Sequence, residues 1–173
     1  LSEVCRKLGH VVDNYGMYSS EDKVWLTYVQ NGVLASVLLN GGAADFVVTG
    51  CGTGMGAMLA LNSFPGVICG LADNPMDAYL FSQINHGNAL SLPYAKGFGW
   101  GAELNLGYTF ERIFSKEGGG GYPPEKQKVE RENKLILDGV RKNNFKDIYA
   151  CLKGLDRDFV IGALSGENFK SLF

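Results

Sequence analysis

At 173 residues, 46% hydrophobic and 20% charged, the chain has the composition of one globular domain with a single sizeable core, and neither a disordered chain nor a coiled coil fits. Its 24 glycines are about twice the average usage of roughly 7%, yet with 5 prolines and no G-X-Y period they exclude collagen and point to tight turns. A net charge of -2 leaves no electrostatic footprint for nucleic acid or an anionic membrane.

In chain order, Leu1 to Leu8 reads as a helix closed by Gly9, as though the chain starts inside a unit whose first strand is missing upstream. A strand is expected at His10 to Asn14, a loop at Tyr15 to Asp22, and a helix from about Lys23 to the stop at Asn40-Gly41-Gly42. The stretch Phe46 to Ala72 carries no charge, but Gly50, Gly52, Gly54, Gly56, Asn62 and Pro65 interrupt it, so it reads as buried βαβ rather than a membrane span. Within it a strand Asp45 to Thr49, the turn Gly50 to Gly56, a short helix to Asn62 and a strand Val67 to Leu71 follow one another. Asp73-Asn74-Pro75 opens a helix to about Ile84, then come a strand Ala89 to Leu92, a loop Pro93 to Trp100 and a helix Gly101 to Phe114.

Four strands alternating with helices predict a Rossmann-like three-layer α/β/α fold, a doubly wound parallel sheet. Residues 1–115 form this core. Gly118 to Gly121 with Pro123-Pro124 make a hinge, and residues 116–173 form a helical C-terminal extension of the same domain, with helices Glu125 to Asn143, Asn144 to Lys153 and Asp156 to Phe173. This tail is expected to pack on the sheet or on a partner subunit.

Ligands of open α/β sheets bind at the carboxyl ends of the strands, which singles out the turn Gly50-Cys51-Gly52-Thr53-Gly54-Met55-Gly56. There the amides of Gly54, Met55 and Gly56 are expected to converge at a helix N-terminus and favour an anion, as an oxyanion hole does. Cys51 sits at the mouth of that turn, where the same positive end lowers a thiol pKa and makes a base or nucleophile. The rival is a small buried hydrophobe. No C-x-x-C pair joins Cys5, Cys51, Cys69 and Cys151, and with only His10 and His86 no metal cage is expected; a reducing cytoplasm is the default. Gly52-x-Gly54-x-x-Ala57 with Asp73 about 20 residues on also matches a dinucleotide fingerprint, which leaves an NAD(P)-binding oxidoreductase as the alternative enzyme.

The string Cys51-Gly-Thr-Gly-Met-Gly56, followed by Ala60-Leu61-Asn62, Pro65-Gly66 and Asn85-x-x-Asn88-Ala89-Leu90, resembles the family of type B ribose-5-phosphate and galactose-6-phosphate isomerases over roughly Leu1 to Phe114, with Gly9-His10-Val11-Val12-Asp13 echoing a further family segment. The resemblance implies aldose–ketose isomerisation of a phosphorylated sugar, no cofactor, and a homodimer or larger assembly. Cys51 is then the base that moves a proton between C1 and C2, with Thr53 and the amides of Gly52, Gly54, Met55 and Gly56 on the enediolate oxygens and Asn62, Asn85 and Asn88 in the substrate site. Where the family has a ring-opening histidine this chain has Ile84, and His86 is the candidate substitute. Lys126 and Lys128 stand where family cations meet the phosphate; Lys96 and Arg112 are further candidates, with Phe98 and Trp100 as pocket walls. A pocket that had lost the ring-opening chemistry would make a non-catalytic sugar-phosphate-binding protein, the third reading.

Overall fold

A computed structural model describes residues 2–97 and 99–173. Leu1 of the first expected helix and the pocket-wall candidate Phe98 lie outside the described residues. Helix α1 (Ser2–Lys7) leads through an unpaired segment to α2 (Tyr28–Asn40). Strand β1 (Val47–Cys51), α3 (Met55–Asn62), β2 (Cys69–Leu71), α4 (Pro75–Leu80) and β3 (Ala89–Pro93) follow. Then come α5 (Ala102–Phe114), α6 (Gln127–Asn144), α7 (Ile148–Lys153), α8 (Arg157–Leu164) and α9 (Glu167–Leu172).

The three described strands are parallel in the order β1-β3-β2, with Cys51 opposite Pro93 and both Cys69 and Val47 opposite Ala89. The chain passes from β1 over the place of β3 to β2 and then returns, so right-handed crossovers put α3 and α4 on opposite faces. The core divides accordingly. Val33 and Ala35 of α2, Leu61 of α3, Ala89 and Ala163 of α8 bury on one face. Cys5 of α1, Ala78 of α4, Leu90, Leu92, Phe110 and Ile113 bury on the other. Successive β3 side chains thus alternate between faces, the period of two that a central, doubly covered strand imposes. C-terminal residues take part in this core, since Cys151, Leu152, Leu155, Phe159 and Val160 pack around Ala163 against α2.

Four expectations change. His10 to Asn14 forms no ladder: Val12 packs inward, Val11 is 90% exposed, His10 lies against Phe114, and a cavity of about 430 Å³ separates the segment from Ala43–Phe46 and Val48. One buried apolar side chain does not anchor a strand. Helix α2 begins at Tyr28 instead of Lys23 because Thr27 and Gln30 form a capping box that satisfies the first amides. After Leu80 the helix widens into a π segment (Phe81–Asn85), and it ends at His86, whose φ is +47°. The last expected helix breaks at Ser165-Gly166 into α8 and α9.

Candidate active site

Parallel strands put their carboxyl ends, Cys51, Leu71 and Pro93, on one edge of the sheet, and their amino ends on the other. The glycine turn therefore opens at the first edge. Each of its glycines has its own cause. Gly54 caps α3 at φ +75°, and a Cβ there would stand 2.4 Å from Leu71 Cδ1 and 3.1 Å from the β3 backbone at Leu92 and Pro93. Ser91 Oγ, buried beneath, donates to Gly54 O at 2.7 Å and pins the turn to β3. A Cβ on Gly56 would lie 3.3 Å from the Tyr28 ring, and Gly52 has room, its nearest neighbour being Ala95 Cβ at 3.7 Å.

Cys51 is half-buried at the end of β1. Burial pushes its thiol up, but the nearby amides of Ala57, Thr53 and Gly54 and the Thr53 hydroxyl outweigh it and hold the pKa below the ordinary thiol value, while Gly54 N–H itself donates to Cys51 O at 3.2 Å. These donors are only in part the ones the sequence singled out: Gly54 is common to both, while Met55 N reaches Thr53 Oγ1 at 3.4 Å. The other thiols differ. Burial pushes Cys69 up to about 12 and also raises Cys5. Cys51 opens onto a cavity of about 760 Å³ that runs along the free edge of β1 past Asn14, Thr27, Asn31, Gly52 and Tyr94, and no lysine, arginine or histidine lines it among the described residues.

The remaining candidates lie elsewhere in the chain. Asn62 ends α3 at the opposite edge, where its amide group is used up on the backbone of β2: Nδ2 donates to Cys69 O at 2.8 Å and to Met58 O at 3.0 Å, and Oδ1 accepts from Cys69 N at 3.0 Å. Asn88, just before β3, is spent likewise between Ile68 N (2.8 Å) and Gly66 O (2.7 Å). Asn85 and His86 precede β3 at that same edge, with Gly118 and Gly119 packed on the His86 imidazole. The five residues of β3, at about 3.3 Å each, keep the two edges on the order of 15 Å apart, so His86 does not reach Cys51 within one chain. Lys126 opens α6, which Arg131 Nε ties to Gly119 O at 2.8 Å beside His86. Lys96 pairs with Asp73 at 3.1 Å, which occupies the acid that the dinucleotide reading needs for a ribose. Trp100 projects into solvent and walls nothing. Tyr94 lines the cavity with Cys51 and was not among the candidates; the signal for it lies in Gly50, where a Cβ would come within 2.8 Å of its ring.

Residues 1–110 match the family model described as ribose/galactose isomerase. The chain belongs to that family. Residues 144–173 match a second model, described as ribose-5-phosphate isomerase. A solved 4-deoxy-L-threo-5-hexosulose-uronate ketol-isomerase, complexed with a tartrate, is 58% identical, with TM-score 0.97 over 99% of this chain and 81% of that one. A ribose-5-phosphate isomerase from Vibrio parahaemolyticus is 46% identical, with TM-score 0.95 over the same shares. The type B ribose 5-phosphate isomerase of Leishmania infantum, at 18% identity and TM-score 0.66 over 83% of this chain and 86% of that one, shares the fold. No curated protein matches the chain. Membership makes this chain a sugar-phosphate isomerase by family and an aldose–ketose isomerase by reaction class, and the oxidoreductase alternative is not favoured. Among the described residues of this isomerase no helix is long and apolar enough to cross a membrane.

Proposed function

We propose that the Cys51 thiolate removes the proton from the carbon beside the substrate carbonyl, forming an enediolate, and returns it to the neighbouring carbon, so that aldose and ketose interconvert with no net gain or loss of atoms. The observation that carries this reading is the place of Cys51, at the end of β1 beside the N-terminus of α3 and at the mouth of the cavity: a thiol is set where a sugar can enter. Thr53 and the turn of Gly52, Gly54, Met55 and Gly56 hold the reacting end of the substrate.

The substrate is a phosphorylated sugar, in keeping with the family. One observation favours a second reading, in which the anionic group is a carboxylate: the 58% identical enzyme is a uronate ketol-isomerase. Incubation in D2O with ribose 5-phosphate and, separately, with 4-deoxy-L-threo-5-hexosulose uronate tests both. Deuterium entering at the carbon beside the carbonyl, lost in Cys51→Ala, supports the mechanism and names the class; no incorporation from either sugar removes it.

The working unit is a homodimer. Helix α6 meets the rest of its chain through two arginines: Arg131 donates to Gly119 O, and Arg141 donates to Phe64 O and Val67 O. Its apolar stripe, Val129, Ile136, Leu137 and Val140, faces solvent. A second copy covers that stripe and brings Lys126 of the partner subunit toward a substrate anion that this chain's own cavity leaves without a cation. All four cysteines are free, which suits a reducing cytoplasm.

A further inference from the structure

We propose that Tyr94 is a catalytic residue, its phenol donating a hydrogen bond to the substrate oxygen that gains negative charge in the enediolate. The proposal rests on Cys51 as the base and adds a side-chain donor to that chemistry. In the turn, the Gly54 amide is spent on Cys51 O at 3.2 Å and the Met55 amide reaches Thr53 Oγ1 at 3.4 Å. A side-chain donor on the substrate oxygen adds to what the rest of the turn offers.

Tyr94 is built into position for this. The sheet register sets Cys51 opposite Pro93, so Tyr94 is the first residue beyond β3, and its N–H donates to Cys51 O at 2.9 Å. Its ring crosses β1 at Gly50. That glycine has no left-handed backbone, yet a Cβ on it would meet the ring at 2.8 and 2.9 Å and the Leu92 carbonyl at 2.2 Å. An alanine there would displace the phenol or the strand pairing, so the glycine opening the turn serves the aromatic ring and the β1–β3 contact. The ring lies over the β1 backbone at Gly50, 47% of the residue stays exposed, and it lines the same cavity as Cys51. Partial burial, and after it the neighbouring Cys51 thiolate, push the phenol above its usual range, so it is protonated and able to donate at neutral pH.

The test is Tyr94→Phe, which keeps the ring over Gly50 and removes only the hydroxyl. With whichever of ribose 5-phosphate and 4-deoxy-L-threo-5-hexosulose uronate the wild type turns over, kcat is expected to fall about 100-fold, the usual cost of one oxyanion donor, with KM changed less than about threefold. The pH midpoint for iodoacetamide alkylation of Cys51 and the urea unfolding midpoint are expected to stay where they are. A kcat within threefold of wild type overturns the proposal, as does a shifted alkylation midpoint or a lowered urea midpoint that accounts for the loss. Cys51→Ala separates the two layers of inference. If Cys51→Ala is dead and Tyr94→Phe fully active, only the role of Tyr94 fails; if Cys51→Ala is active, or neither sugar reacts with the wild type, the reading of the base fails and takes this one with it.

Discussion

Gly54→Ala puts the construction of the turn to the proof. Alanine at φ +75° costs about 1–2 kcal/mol from the clash of Cβ with the following carbonyl. The new methyl also meets three atoms. Leu71 Cδ1, at 2.4 Å, can swing aside as the end of a flexible side chain, but Leu92 C and Pro93 N, at 3.1 Å, belong to the backbone of the central strand and cannot. Overpacking of this kind costs about 1–3 kcal/mol. The sum is a loss of about 2–5 kcal/mol, which at about 2–4 °C per kcal/mol for a chain of this size lowers Tm by roughly 4–20 °C. A shift of the turn also disturbs the bond from Gly54 N–H to Cys51 O (3.2 Å) and the nearby donors that lower the thiol pKa, so that pKa rises and alkylation near neutral pH slows. Urea denaturation and iodoacetamide labelling read by mass spectrometry measure the two effects, with Gly52→Ala as the control whose methyl meets only Ala95 Cβ at 3.7 Å, an ordinary van der Waals contact, and stays within about 0.5 kcal/mol of wild type. A Gly54→Ala protein as stable as the control, with Cys51 equally reactive, would refute the argument.

Other outcomes follow from the same structure. Because the Cys51 pKa is lowered, kcat/KM is expected to rise with pH through a midpoint below the ordinary thiol value and to hold level until the raised Tyr94 phenol ionises; a limb centred at 9 or above contradicts the lowered thiol, and limiting iodoacetamide is expected to mark Cys51 ahead of Cys5 and Cys69. Cys69 has its folded pKa raised to about 12 from 9.0, so the stability it contributes is complete below pH 9 and is lost as pH climbs toward 12, at up to about 1.4 kcal/mol per pH unit. Cys69→Ala, compared with wild type by urea unfolding between pH 8 and 10.5, is expected to lose stability more slowly; parallel curves would mean the thiol does not titrate in the fold. Ile136→Lys, on the solvent face of α6, is expected to leave monomer stability within about 0.5 kcal/mol while converting a dimer to an 18.7 kDa species in sedimentation; a variant that sediments as the wild type does would remove α6 from the interface.

The uncharged run from Phe46 to Ala72 and its punctuation by glycine, asparagine and proline were enough to read a doubly wound parallel sheet, because strands covered on both faces are continuously apolar and their helices start and stop on local signals. The Thr27–Gln30 capping box was equally local, and reading it would have placed the start of α2. Cys51 at the mouth of the turn was legible for the same reason: a strand end, a glycine in the left-handed region and a helix N-terminus are all neighbours in sequence. Whether two distant residues meet is a different question. Asn62 and Asn88 look like substrate ligands in a row of letters, but the backbone of β2 and the turn before it claim their amides. His86 is two residues from the position expected to open the sugar ring, yet it stands at the opposite edge of the sheet because β3 runs parallel to β1. Tyr94 reaches Cys51 only through the register of two strands more than forty residues apart, and Gly50 explains itself only once that ring lies across it. Local chemistry determined the elements and the nucleophile. The company the nucleophile keeps was decided by strand order and register, which are set by the burial of both sheet faces at once and so leave no mark on any short stretch of sequence.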